Sequence, residues 1–229
     1  MAYTTIDDPT AFFQTTLYTG NGAGSHAIDQ GGNSTFQPDW LWIKKRNAAV
    51  NHLLHDSVRG VTNLLVSNTN AGDDSNSNIV LGFDSDGFRV GANSASNGNG
   101  DTFVAWQWKA NGGSVSTAAG FSIVTYTGTG SAGTIAHGLG AAPAMILFKN
   151  RSRSTNWLVY HKDIAATKFL YLNVTDAEGT DSGHFNDTEP TSTVFSVGGA
   201  NGTNYNGENL IAYCFAEKKG YSKFGSYTG

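Results

Sequence analysis

Two short stretches combine residue types that catalytic or metal sites use. His55-Asp56-Ser57 has the types of a nucleophilic triad, but neighbours on a strand point to opposite faces, so adjacency alone does not build one. Asp84 and Asp86 flank Ser85 before Gly87, which could supply oxygen ligands to calcium or form an Asp-Gly turn between strands. The second half of the chain keeps neither spacing, which favours the turn. We predict no catalytic residue, no metal site and no cofactor.

Glycoside hydrolysis is a further chemistry to weigh, because it needs two carboxylates about 5–9.5 Å apart. Asp101 and Glu208 stand at matching places before the last strand of each half, where an acidic turn residue is ordinary. All Glu residues lie in the second half, at Glu178, Glu189, Glu208 and Glu217. A glycan-degrading enzyme is therefore the weakest of the functions considered, and we predict a protein without enzymatic activity.

Tryptophans form two pairs spaced i, i+2, so that each pair shares one face of a strand. The pairs are Trp40 with Trp42 and Trp106 with Trp108. If exposed, these rings could be glycan contacts that stack on sugars; if buried, they belong to a core. Matching positions in the second half hold ordinary core residues, which favours the core: Met145, Leu147, Tyr213 and Phe215.

Basic residues recur at the end of one strand in both halves of the chain. Lys44 with Arg46 in the first half corresponds to Lys149 with Arg151 in the second. Such a strand end either blunts edge pairing in solvent or contacts an acidic partner protein. These four residues are the candidate partner contacts.

Composition favours an all-β class. Of 229 residues, 14% are charged, 12% are aromatic and 29 are Gly, and the strong helix formers are scarce. A formal charge of −4 without a Lys/Arg stripe gives no support for nucleic-acid binding. No apolar run approaches the ~20 residues of a membrane span. Cys214 is the single cysteine and has no partner for an internal disulfide.

An internal repeat with a period of about 107 residues is the strongest feature of the sequence. Tyr18-Thr19-Gly20-Asn21-Gly22 returns as Tyr126-Thr127-Gly128-Thr129-Gly130, and later segments recur in the same order. We predict two tandem β-sandwich repeats over 1–112 and 113–220. Residues 221–229, ending in Tyr227-Thr228-Gly229, are expected to start a third repeat or to form a closing strand.

Short apolar segments separated by Gly, Asn, Asp and Ser predict seven strands per repeat. In the first repeat they are 12–19, 39–46, 51–58, 61–67, 79–83, 87–91 and 102–110. In the second they are 121–127, 143–151, 156–161, 167–173, 184–187, 193–198 and 208–217. We expect recognition to use the Asn/Gly-rich loops 68–78, 92–100, 174–183 and 199–207.

A longer series of motifs resembles a known group of proteins. The motifs are Pro38-Asp39-Trp40-Leu41-Trp42-Ile43-Lys44, Asp56-Ser57-Val58-Arg59-Gly60, Phe83-Asp84-Ser85-Asp86-Gly87-Phe88, Gly120-Phe121-Ser122-Ile123-Val124-Thr125-Tyr126-Thr127-Gly128, His137-Gly138-Leu139-Gly140 and Lys219-Gly220-Tyr221-Ser222-Lys223-Phe224-Gly225-Ser226-Tyr227-Thr228-Gly229. Together they resemble repeat-containing virion proteins of tailed bacteriophages, especially marine and cyanobacterial phages. The resemblance covers essentially the whole chain.

The resemblance implies a concanavalin-A-like or jelly-roll β-sandwich located in the virion after synthesis in the host cytoplasm. It implies a non-enzymatic structural protein on the particle surface, as head decoration or as a tail or fibre component. Its partners would be other virion proteins and further copies of the chain, for example in a trimer. The alternative is a lectin-like module of a tail fibre that binds a host receptor or surface glycan.

Overall fold

A computed structural model describes residues 4–227 of the chain. Almost all of its elements are antiparallel strands, which confirms the predicted all-β class. The chain divides into two units. The first unit comprises residues 8–69 and 73–114, and the second comprises 115–227 together with 4–7 and 70–72.

The first unit contains nine strands, a 3-10 turn over Pro9–Ala11 and one short helix, α1 (Ser94–Asn97). The strands are β1 (Phe13–Thr19), β2 (His26–Asp29), β3 (Trp40–Lys45), β4 (Leu53–Asp56), β5 (Asn63–Val66), β6 (Asp74–Ser75), β7 (Val80–Asp84), β8 (Gly87–Val90) and β9 (Thr102–Trp108). The larger sheet has the order β1-β9-β3-β4-β5-β6, and the smaller sheet has the order β2-β8-β7.

The second unit also contains nine strands and a short helix, α2 (Ser182–Phe185). The strands are β10 (Val115–Ser116), β11 (Phe121–Thr127), β12 (Gly133–Ala136), β13 (Met145–Asn150), β14 (Leu158–His161), β15 (Lys168–Tyr171), β16 (Gly179–Thr180), β17 (Val194–Val197) and β18 (Asn209–Phe215). The larger sheet has the order β10-β11-β18-β13-β14-β15-β16, and β12 pairs with β17 in a second sheet.

Strand order is the same in the two larger sheets once β10 is set aside. β11, β18, β13, β14, β15 and β16 take the places of β1, β9, β3, β4, β5 and β6. The pair β12–β17 likewise takes the place of β2–β8. This agreement is what the tandem-repeat hypothesis expects, while the origin of the units by duplication stays a prediction.

Neighbouring strands explain the burial patterns. β9 lies between β1 and β3, so both of its edges are paired, and five of its seven residues are apolar. β1 lies at the sheet edge, and from Gln14 onward it alternates between buried or half-buried residues and exposed ones. In each unit the core packs between the two sheets, around Leu41 and Phe103 in the first and around Ile146 and Phe195 in the second.

Most predicted strands are present, but the strand expected over 184–187 is wrong. That segment contains the end of α2, because the Asp181 side chain caps the helix by accepting the Gly183 N–H. Asn186 and Asp187 then have positive φ angles of 52° and 47°, which an extended strand does not allow. The sequence also missed the short strands β2, β6, β10, β12 and β16.

The predicted C-terminal element over 221–229 has no strand within residues 221–227. One isolated bridge pairs Lys218 with Ser222. Thr228 and Gly229 lie outside the described residues. Within residues 4–227, no helix is long and apolar enough to cross a membrane.

Candidate functional site

The four predicted glycan-contact tryptophans gather on one face of the first unit. Trp40 is the cross-strand partner of Trp108, and Trp42 is the partner of Trp106. Ring centroids are 4.5 Å apart in the first pair and 6.2 Å apart in the second. Trp40 is 1% exposed, so its ring offers no face to a sugar, and the other three are half-buried.

The lysines at the strand ends bind nearby loops. Lys44 Nζ donates to Ala48 O at 3.1 Å and to Val50 O at 2.9 Å. Lys149 is fully buried and donates to Thr155 O at 2.6 Å. Both ammonium groups therefore satisfy backbone carbonyls of the segment that follows their strand.

The two arginines of this set differ in exposure. Arg46 is exposed and Arg151 is half-buried. Their backbone N–H groups extend the pairing of the preceding strand, to Thr102 O at 2.7 Å and to Asn209 O at 2.9 Å. Arg46 is the member of the predicted contact set whose side chain is most available to a partner.

Residues of the triad-like stretch have separate structural partners. His55 is buried, and its Nδ1 lies 2.9 Å from Val61 O. Asp56 accepts from Arg59 Nε at 2.6 Å. Ser57 Oγ donates to Asp39 Oδ1 at 2.9 Å, so the Ser57 hydroxyl is not poised as a nucleophile on the imidazole.

Other candidate acids are paired with bases. Asp84 lies in the β7–β8 hairpin and accepts from Arg89 Nε at 2.8 Å, which supports the turn interpretation of this stretch. Asp101 forms an ion pair with Lys45 at 2.6 Å. Glu208, at the matching position, accepts from Arg153 Nε at 2.7 Å. Within residues 4–227, no group of three or more His, Cys, Asp or Glu side chains is placed to hold a metal ion.

The contacts of His137 and the burial of Cys214 indicate structural roles for both residues. Leu139 N–H donates to His137 Nδ1 at 3.2 Å, and His137 Nε2 lies 3.1 Å from Thr191 O. Cys214 is fully buried on β18, and burial raises the pKa of its thiol to about 12. A thiol with that pKa stays protonated at neutral pH and is a poor nucleophile.

In each unit a buried asparagine holds the segment around the repeated Tyr-Thr-Gly motif. We call this arrangement of Asn97 or Asn204 with the motif the loop clamp. In the first unit, Asn97 at the end of α1 holds the turn after β1. Its Oδ1 accepts the Asn21 N–H at 3.0 Å, and its Nδ2 donates to Ala23 O at 3.0 Å. The Tyr18 hydroxyl donates to Ser96 O at 2.7 Å.

The same clamp recurs in the second unit around Asn204. Its Oδ1 accepts the Thr129 N–H at 2.9 Å, and its Nδ2 donates to Ser131 O at 2.7 Å. The Tyr126 hydroxyl donates to Thr203 O. The motif therefore fixes the loop end of each sandwich and contributes no reactive group.

Glycine is required in the clamp by a close backbone approach. A Cβ at Gly20 would overlap Gly98 O, and a Cβ at Gly128 would overlap Tyr205 O. The sequence revealed the Tyr-Thr-Gly segments through their repetition. It did not reveal Asn97 and Asn204 as their partners, because these residues lie more than 70 positions away in the chain.

A cleft of about 480 Å³ lies at the loop end of the second unit. This volume is within the range of small-molecule sites. Two predicted binding loops, 174–183 and 199–207, contribute to its walls. We call it the second-unit cleft; it is lined by Thr155, Asn156, Leu158, Tyr171, Asp181, His184, Ala200, Asn201 and Gly202.

One wall of the second-unit cleft carries an oriented amide. Asn173 Oδ1 accepts the Trp157 N–H at 2.8 Å, and Asn173 Nδ2 donates to Asn156 Oδ1 at 2.9 Å. Because the Asn156 oxygen is used in this way, its NH₂ group is the part left to face a ligand. The cleft thus has a preorganised donor.

The cleft lining also combines an acid with aromatic rings that pack edge to face. Asp181 Oδ1 accepts the Gly183 N–H at 2.8 Å, while Oδ2 lies 3.7 Å from His184 Nε2. Burial lowers the pKa of His184, and the Asp181 charge opposes this shift. Phe169 packs edge-on against His184 at 4.5 Å and against Tyr171 at 5.1 Å, which fixes both rings.

Fold and geometry together define a two-unit antiparallel β-sandwich protein with a polar, aromatic-walled cleft. The chain belongs to the family described as Domain of unknown function (DUF7483), whose profile matches residues 8–229. No curated protein matches the chain.

The sequence predicted the loops of the second-unit cleft but not the other side chains that line it. Tyr171, at the end of β15, was assigned to a strand, and His184 was assigned to a strand that is in fact α2. The difference between the two repeats at these two positions is the sequence feature that could have identified them.

Proposed function

We propose that the chain is a non-enzymatic structural component of a bacteriophage particle, displayed on the virion surface as head decoration or as part of the tail or a fibre. The observation that carries the structural, non-enzymatic role is the loop clamp. In both units, Asn97 and Asn204 use buried side-chain bonds to fix the loop end of a sheet with the same strand order. A rigid sandwich with fixed loops suits repeated contacts in an assembly.

Ionisable side chains fit the same proposal because their contacts hold the fold. Asp56 is bound to Arg59, Lys149 to a carbonyl, and His55 to the Val61 carbonyl. The phage assignment itself rests on the sequence motifs that resemble virion proteins. Under this proposal the partners are other virion proteins and further copies of the chain in a symmetric oligomer such as a trimer.

Quantitative mass spectrometry of gradient-purified particles tests the particle assignment. We expect the chain to co-sediment with the major capsid protein at a fixed ratio and to remain after a high-salt wash. Recovery only in the soluble fraction of the lysate would contradict the proposal. Light scattering of the purified chain then reports its oligomeric state.

A second candidate function is a lectin-like module that binds a host receptor or surface glycan. The second-unit cleft favours it, because the cleft places an aromatic ring beside amide and carboxylate groups. A glycan-degrading enzyme is less well supported. Among the described residues that line the cleft, Asp181 alone carries a carboxylate, whereas hydrolysis uses two.

A further inference from the structure

The two units provide an internal comparison for the second-unit cleft. In the first unit, Asn68 Oδ1 accepts the His52 N–H at 2.9 Å, and Asn68 Nδ2 donates to Asn51 Oδ1 at 3.0 Å. Asn173 makes the same two bonds, to Trp157 and Asn156. The scaffold that orients the amide is therefore shared by both units.

Hydrogen bonds and strand register identify the first-unit residues that correspond to the other side chains of the second-unit cleft. Tyr171 is the cross-strand partner of Leu158, as Val66 is the partner of Leu53. The ring of the second unit is thus replaced by an aliphatic side chain in the first. Nothing in the shared strand pairing requires an aromatic residue at this place.

The acid and the imidazole of the cleft are replaced in the same way. Asp181 Oδ1 accepts the N–H two residues on, and Asn76 Oδ1 does the same at 2.9 Å. His184 O accepts the Gly198 N–H at 3.1 Å, and Ile79 O accepts an equivalent bond from Gly91 at the same distance. The first unit folds with an amide and an aliphatic chain where the second has a carboxylate and an imidazole.

Three side chains that differ between the two units line the one cleft. Tyr171, Asp181 and His184 all line it, together with the amide of Asn156. Because the shared fold does not need the first three, their grouping is best explained by a ligand. Asn201 adds an exposed amide at the rim.

The chemistry of the lining disfavours an anionic ligand and suits a hydroxyl-rich one. Among the described residues that line the cleft, none is Lys or Arg, and the Asp181 carboxylate repels anions. The Asn156 NH₂ donates and the Asp181 carboxylate accepts, which suits adjacent hydroxyl groups. The Tyr171 ring offers an apolar face beside these polar groups.

We propose that the second-unit cleft binds a neutral saccharide, with the apolar face of one sugar ring on Tyr171 and its hydroxyls bonded to Asn156 and Asp181. The proposal stands on the cleft and does not depend on a place in a phage particle. A saccharide of one or two rings fits a cleft of about 480 Å³.

Saturation-transfer NMR on the full chain tests this assignment. The probes are the methyl glycosides of glucose, galactose, mannose and N-acetylglucosamine, followed by an array of neutral and sialylated glycans. We expect binding of at least one neutral sugar that is insensitive to ionic strength, because no ion pair is formed. Absence of binding by every neutral probe, or binding of sialylated glycans only, would overturn the proposal.

Variants locate the bound sugar. Tyr171→Val and Asp181→Asn install the residues of the first unit, and each is expected to weaken Kd at least about tenfold. Tyr171→Phe keeps the ring and retains binding. Asn76→Asp, the mirrored change in the first unit, leaves Kd unchanged. Circular dichroism checks that each variant folds. If Tyr171→Val does not fold, the Kd of Asp181→Asn tests the site instead. An unchanged Kd in Asp181→Asn would contradict binding in this cleft.

Discussion

Asn97 and Asn204 share two side-chain hydrogen bonds to the backbone at the loop ends of the two units. Each side-chain oxygen accepts a backbone N–H from the turn after the first long strand, and each NH₂ donates to a carbonyl of that turn. Both side chains are almost completely buried, at 0% and 1% exposure. The loop clamp is therefore a structural device used twice in one chain.

Asn204→Ala is expected to lower the free energy of unfolding of the second unit by about 2–4 kcal/mol. The change removes bonds to Thr129, Ser131 and Gly198, and it takes a side-chain donor from the buried Gly198 carbonyl. Urea denaturation followed by fluorescence measures the loss. The control is Asn201→Ala, an exposed amide on the same turn, which is expected to cost less than about 0.5 kcal/mol. Equal losses in the two variants would contradict a clamp.

Gly128→Ala is expected to destabilise the second unit by about 1–3 kcal/mol, because its Cβ would overlap Tyr205 O and force the backbone apart. The matched control is Gly133→Ala on β12, where the nearest atom to a Cβ is Ser131 O at 3.8 Å. We expect the control to change the denaturation midpoint little. A Gly128→Ala midpoint equal to that of the wild type would show that the close approach is not required.

Arg59→Met is expected to lower the free energy of unfolding of the first unit by about 3–5 kcal/mol, because it leaves a buried carboxylate without its cation. Arg59 Nε lies 2.6 Å from Asp56 Oδ2, and both side chains are 0% exposed. Arg89→Met removes the Asp84 pair, in which the Arg89 side chain is 46% exposed, and is expected to cost less than about 1 kcal/mol. Thermal denaturation that ranks the two variants in the opposite order would contradict this account of the buried pair.

Acid is expected to destabilise the first unit through His55. Burial, assisted by the Arg59 charge, lowers the pKa of His55 from 6.5 to about 4. The unfolded chain therefore binds a proton between these pH values that the folded chain does not. The contribution of His55 to the free energy of unfolding is fully present above pH 6.5. It falls by up to about 3 kcal/mol as the pH drops to 4.

Denaturation curves at several pH values measure this contribution. His55→Gln keeps an N–H donor for Val61 O and removes the titrating ring, so its stability should decline less steeply over the same range. Parallel pH dependences for the wild type and His55→Gln would assign the acid sensitivity to other groups.

Long strands could be predicted from the sequence because apolar composition and burial coincide in them. Residues 121–127 were predicted as a strand, and β11 has the same bounds. The two-residue strands β6 and β16 could not be predicted, since pairing with a neighbour defines them and their residues are polar or Gly. The strand predicted over 184–187, by analogy with 79–83 in the first repeat, is wrong because Asp181 caps a helix there.

Side-chain partners in the candidate site could be predicted less well than the loops. The polar residues and glycines of 174–183 and 199–207 predicted loops, and both segments reach the second-unit cleft. Tyr171 is the last residue of β15, and Asn156 lies two residues before β14. The sequence does not specify the register in which these two strands pair. The burial of Lys149, predicted as a partner contact, depends on the segment that packs over its strand and on Thr155 in particular.

Cryo-electron microscopy of intact particles, with this chain located in the map, is the most direct measurement of the central claim. The account predicts density for the two-unit sandwich on the particle surface, either on the capsid lattice or along the tail and its fibres. Density at the capsid would place Arg46 among the contacts to examine, and density at a fibre tip would favour the lectin-like alternative. Particles that carry no copy of the chain would contradict the claim that it is a structural component of the virion.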